Sequence, residues 1–111
     1  MASPARIRST IAAATRLPDE LRELRAFHKA LADVNRLRIV RRLAQGPATV
    51  TTLTEHVGLS QPLVSWHVSR LRSAGLVETR RTGRETVCSL RHEAFQAIAA
   101  RERTWLGLAG S

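Results

Sequence analysis

Gln61, Ser65 and Ser69 recur four residues apart, with Trp66 and Arg72 beside them. On a helix, side chains four apart share a face, so this spacing gathers short hydrogen-bonding groups and an arginine along one row. Glutamine pairs with adenine through two bonds, serine hydroxyls donate or accept at bases and phosphates, and arginine reaches the backbone. Ser60 belongs to the same set at the entry to the row. Trp66 either packs on a neighbouring element or meets thymine methyls and sugars. A second cluster, Arg80, Arg81 and Arg84 around Gly83, suits a cationic hairpin tip at a narrow A·T minor groove, the alternative being a merely solvated tip. Together the two clusters point to non-covalent recognition of double-stranded DNA. An enzyme is excluded on these residues: there is no nucleophile and base with a plausible third member, no glycine-rich phosphate cradle and no metal cage.

The elements that must carry these groups follow from periodicity and caps. Leu17, Leu21, Leu24, His28 and Leu31 form an apolar stripe, with Pro18, Asp19 and Glu20 as helix-start chemistry. Asp33 caps a second helix whose pattern runs through Leu37, Val40, Leu43 and Ala44 to Gly46-Pro47, with Arg36, Arg38, Arg41 and Arg42 on its outer face. A short third helix, capped by Thr49, Thr51 or Thr52, holds Val50, Leu53 and Val57 inside and ends at Gly58. Ser60 caps a fourth, with Pro62 in its first turn and Val64, Val68 and Leu71 at helical spacing up to Gly75; His67 lies toward its core side. After Gly75 the period changes. Residues 76–80 and 85–90 read as two strands, and Gly83 supplies the positive φ their turn needs. A fifth helix follows from about Arg91 through Ala94, Phe95, Ile98, Glu102, Trp105 and Leu106. The expected fold is mainly α with a small β-hairpin wing: a winged helix-turn-helix of order α-α-α-α-β-β-α over residues 17–108, behind a basic flexible arm, residues 1–16.

The chain has 111 residues, so one core is expected; its eighteen Lys+Arg against nine Asp+Glu give a net charge of +9. Lys29 is the only lysine. Arginine offers the planar fork that matches phosphate and guanine, so the charge fits nucleic acid rather than generic solubility. No apolar run is long enough to span a membrane, and the single Cys88 allows neither an internal disulfide nor an all-cysteine metal site, as in a cytoplasmic protein. Inert packing in a strand fits Cys88 better than redox sensing. The apolar stripes at Leu17, Leu21, Leu24 and at Phe95, Ile98, Trp105, Leu106 exceed what one small core covers, which predicts a homodimer.

The run Leu31-Ala32-Asp33-x-x-Arg36-Leu37-Arg38-Ile39-Val40, followed by Gly58-Leu59-Ser60-Gln61-Pro62-x-Val64-Ser65-x-His67-Val68-x-x-Leu71-Arg72-x-Ala74-Gly75-Leu76-Val77, resembles the ArsR/SmtB family of bacterial winged helix-turn-helix regulators. The resemblance covers about Leu17 to Trp105. It implies a homodimer built from the first and last helices, bound to an imperfect palindrome, usually as a repressor released by a metal ion or another effector. The family's sensor sites are where the chain departs. The arsenic-type cysteine stretch falls on Thr49, Val50, Thr51, Thr52, Leu53 and Thr54, which leaves no thiolate. The zinc-type ligands of the last helix fall on His92, Ala94, Trp105 and Leu108, and one imidazole does not close a tetrahedral site. No metal is therefore expected. A relocated nickel or zinc site, drawn from His28, His92, His56, Cys88 and acids such as Glu93, is the alternative, and a charge-only architectural DNA binder is a second. The row at Gln61, Ser65 and Ser69 argues against the latter, because lysines would hold phosphate better.

Overall fold

The computed structural model describes residues 19–108. The expected basic arm, Leu17 and Pro18 lie outside them. Five helices and a three-stranded antiparallel sheet run in the order α1 (Asp19–Leu31), α2 (Val34–Leu43), β1 (Ala48–Thr49), α3 (Val50–Val57), α4 (Gln61–Ser73), β2 (Val77–Thr82), β3 (Glu85–Leu90) and α5 (His92–Trp105). No helix among the described residues is long and apolar enough to cross a membrane.

Local chemistry accounts for the helix boundaries. Asp33 sits in extended backbone, and its carboxylate accepts the amides of Asn35 and Arg36 at 2.9 and 3.1 Å, satisfying donors that α2 leaves open. Burial opposes ionisation of this carboxyl, but the amide of Arg36, the charge of His67 and the amide of Asn35 outweigh it and hold the group below its usual range. Thr49 caps α3 by accepting from the amide of Thr52 at 3.0 Å. Gly58, at φ 71°, closes α3 with its N–H on the carbonyl of Thr54. That left-handed residue turns the chain within three positions into α4, whose cap Ser60 accepts from the amide of Leu63 at 3.4 Å.

The hairpin is in register from Val77 opposite Leu90 to Thr82 opposite Glu85, with Gly83 at φ 62° in the turn. The structure adds a strand beyond the expected order. Ala48 and Thr49 pair with Cys88 and Val87, placing β3 in the middle of the sheet. The core is formed by Ile39, Leu43, Leu53, Val64, Leu71, Leu76, Val77 and Cys88, each almost wholly excluded from solvent. It lies where α2, α3, α4 and the sheet meet, with Leu24 of α1 and Ile98 of α5 closing it.

Helix α2 corrects one expectation. Leu37 and Ala44 were placed on its apolar pattern, yet both are exposed, and Ile39 with Leu43 takes the inward face. Leu37 lies opposite that pair, because two residues along a helix is roughly half a turn.

Candidate nucleic-acid interface

Helix α4 divides cleanly. Val64, His67, Val68 and Leu71 are buried, while Gln61, Ser65, Trp66, Ser69 and Arg72 are exposed. The row of Gln61, Ser65 and Ser69 is thus presented outward by a helix anchored on its other face. Ser60 stands just before it, its hydroxyl engaged in the cap. Arg72 donates from Nη1 to Thr79 Oγ1 of β2 at 3.2 Å, a bond that ties the outer helix to the wing. Ser65, Ser69, Arg72, Thr79 and Thr86 line one notch of about 220 Å³ between them. Val50 and Val68 complete its lining, and its hydroxyls and one guanidinium are groups suited to sugar and phosphate oxygens. Thr79 and Thr86 were not foreseen as part of it; their only sequence signal is alternation along two strands.

Arg80, Arg81 and Arg84 are all exposed on the wing, and Arg81 donates from Nη1 to Thr86 Oγ1 at 3.4 Å. The arginines of α2 behave differently. Arg36 donates to the carbonyl of Ala30 at 3.1 Å, Arg38 to the carbonyls of Val57 and His56 at 3.2 and 3.1 Å, and Arg42 to that of Gly46 at 3.2 Å. The expected solvated outer face is therefore largely a set of clamps on open carbonyls at chain ends and turns. Only Arg41 of the four lacks such a role among the described residues.

Trp66 takes the packing alternative towards α2. The Arg36 and Arg70 guanidiniums lie 5.6 and 5.5 Å from its ring centroid, and the His67 ring meets it edge-on at 5.0 Å. About half of its surface, 49 %, remains open to solvent. His67 itself is buried as expected, and its Nδ1 has no hydrogen-bond partner among the described residues.

The positions matching the family's arsenic-type stretch differ in surroundings. Thr49 is the α3 cap, Thr54 donates to the carbonyl of Val50 at 2.8 Å, and Thr51 is exposed. His28 leaves the apolar stripe expected of it: it is exposed, and its Nε2 lies 2.8 Å from Glu102 Oε1 of α5. His92 is exposed at the start of α5, so the two histidines are held on different elements. Among the described residues no cluster of three or more His, Cys, Asp or Glu is assembled for a metal. Cys88 is fully buried in β3, and that burial pushes its thiol up to about 11.

The apolar residues assigned to pairing separate into two groups. Leu24 and Ile98 are buried within the protomer itself, and Leu21 and Phe95 are half-buried, Phe95 packing edge-on against Phe27 at 5.4 Å. Trp105 and Leu106 at the end of α5 remain exposed, together with Leu108. An ion pair between Arg101 and Glu23 also bridges α1 and α5.

Comparison with known proteins accounts for this arrangement. The family described as "Bacterial regulatory protein, arsR family" matches residues 33–79, the span from the α2 cap to β2. The chain is 42% identical over 59 residues to a probable mercury resistance operon repressor of Streptomyces lividans, covering 53% of this chain and 47% of the relative. It is 38% identical over 77 residues to an arsenical resistance operon repressor of Staphylococcus xylosus, covering 69% and 74% respectively. The chain thus spans about half the length of the first relative and three quarters of the second. A homodimeric winged helix-turn-helix DNA-binding domain of Mycobacterium bovis, solved in solution, superposes with a TM-score of 0.66 at 29% identity, over 77% of this chain and 83% of that one. These relatives are regulators rather than enzymes. The protein belongs to the ArsR family of transcriptional regulators and carries its winged helix-turn-helix DNA-binding domain.

Proposed function

We propose that the protein is a cytoplasmic homodimer that binds an inverted repeat in double-stranded DNA, reading bases with α4 and holding the flanking backbone with the wing. The observation that carries this is the row of Gln61, Ser65 and Ser69, outward on a helix whose opposite face is buried. Gln61, at the N-terminal end of α4, reads base edges; Ser65 and Ser69 follow along the groove; Ser60, Arg72, Arg80, Arg81 and Arg84 contact sugar and phosphate. Pairing falls to Trp105 and Leu106, 52 % and 55 % exposed, with Leu21 and Phe95 extending the seam. Leu24 and Ile98 support it from beneath. The homodimeric Mycobacterium bovis relative favours the same assembly.

The test is fluorescence anisotropy with the chain's own promoter and a scrambled duplex at several salt concentrations. Preference for the promoter that persists as salt rises is expected; equal affinities with a common salt slope would move the charge-only architectural reading ahead.

A second reading, a regulator responding to nickel or zinc, draws on one contact. His28 and Glu102 bring an imidazole and a carboxylate together across α1 and α5, a pair to which a partner protomer could add. Two relatives are named for mercury and arsenical resistance. Calorimetric titration with nickel and zinc, with and without the operator, decides: a true effector must change the DNA affinity by the factor by which DNA changes its own.

A further inference from the structure

The surface between α1, α2 and α4 holds a cleft of about 240 Å³ that the DNA reading leaves unused. Lys29 of α1, Arg36 of α2 and Arg70 of α4 line it, Ser73 adds a hydroxyl, and Ala26 and Ala30 leave the space open. Three cations from three helices converge there, and no acid lines the cleft. None of the three has an ion-pair partner among the described residues. Asp33, the acid whose charge interacts with Arg36, is engaged by the two amides it caps. The Arg36 Nε is buried with no hydrogen-bond partner among the described residues, although its Nη1 is satisfied by Ala30. An unmatched buried guanidinium donor is costly unless an acceptor completes it.

Convergent cations repel one another. Here Trp66 holds two of them in place, its ring lying within 5.6 Å of both guanidiniums. Pre-positioned forks beside a flexible ammonium match a compact, multiply charged oxyanion better than a single carboxylate. The neighbouring cleft on α1, lined by Arg22, Arg25, Ala26 and Lys29, extends the positive field outward from the same lysine.

We propose that this cleft is a binding site for a phosphate group, with Lys29, Arg36, Arg70 and Ser73 as its ligands. The phosphate belongs either to a free phosphate or phosphomonoester or to the backbone of DNA beyond the half-site. In both cases the bound group clamps α1 and α2 onto α4, the element that carries the reading row. The effect on operator affinity rests on the function proposed above; the binding of phosphate does not.

The experiment follows the indole N–H resonances of the two tryptophans by nuclear magnetic resonance in the full chain. Inorganic phosphate is titrated against sodium chloride at matched ionic strength. The Trp66 resonance should shift saturably with phosphate alone while Trp105 stays still. Lys29→Gln, at an exposed position of α1, should weaken that response about tenfold, the loss of one charge-assisted bond, and Arg70→Gln should do the same. Arg36 is left intact because its bond to Ala30 is structural. In a second arm a scrambled duplex replaces phosphate. If the duplex moves Trp66 and Lys29→Gln lowers the salt slope by about one unit, while inorganic phosphate has no effect, the site holds a DNA phosphate. If chloride reproduces the phosphate shift, or if neither response depends on Lys29, the proposal is overturned. Loss of operator preference with phosphate binding intact would sink the function proposed above and leave this site standing.

Discussion

Helix α2 and the wing are two arginine-rich surfaces among the described residues, alike in composition and opposite in employment. Arg36, Arg38 and Arg42 reach back to carbonyls at the ends of α1 and α3 and in the turn after α2. Arg80, Arg81 and Arg84 stand out from a thin hairpin and make no hydrogen bond to a carbonyl among the described residues. The reason is geometric. A helix packed among three others lies close to their open C-terminal ends, where a guanidinium is drawn to unsatisfied oxygens, whereas a two-stranded tip has already paired its backbone. Net charge is therefore a poor measure of charge available to DNA: part of the +9 is structural.

The sharpest way to break that comparison is to remove a clamp. Arg36→Ala should destabilise the fold by about 2–4 kcal/mol, because it leaves Ala30 without its donor and Trp66 without one of its cations; urea denaturation measures it. A variant of undiminished stability that lost DNA binding would erase the distinction between the two surfaces. Gln61→Ala comes next, at about 1–3 kcal/mol of discrimination at one base position per half-site with no change in folding, read by competition between operator and single-base variants. Arg84→Ala should be smaller and uniform, weakening every duplex alike and lowering the salt slope by about 0.9. If it relaxed sequence preference as Gln61→Ala does, the wing would be reading bases rather than holding backbone.

A further effect lies outside both surfaces and is confined to alkaline pH. Burial raises the Cys88 thiol from 9.0 to about 11, so the native state favours the neutral form. Its contribution to stability is whole below pH 9 and is lost as pH rises through 11, because the unfolded thiol ionises first. Cys88→Ala should flatten the alkaline limb of the stability curve in that window.

Much of the scaffold was legible because it is written in local chemistry. Asp33, Thr49, Ser60 and Gly58 act at the helix ends where their side chains or φ values place them, and Gly83 turns the hairpin. The outward row on α4 was legible for the same reason, since periodicity alone separates Ser65 and Ser69 from Val64 and Val68. What escaped depends on distant partners. Strand β1 is two residues long and exists only because β3 returns beside it. Arg38 looked solvated because its acceptors, Val57 and His56, come from another helix. His28 fitted the α1 stripe, yet Glu102 of α5 holds it at the surface. Leu37 was misplaced because two apolar registers compete on α2, and packing chose the one through Ile39.

The two-residue β1 has a consequence for engineering. Thr49 is at once the cap of α3 and the partner of Val87 in the wing, so the hairpin and the helix pair are sutured rather than modular. A wing grafted from a relative would arrive without its mate. Exchanging residues 77–90 alone should tilt the incoming hairpin against α4, whereas carrying residues 48 and 49 with them should transplant its angle into the groove intact.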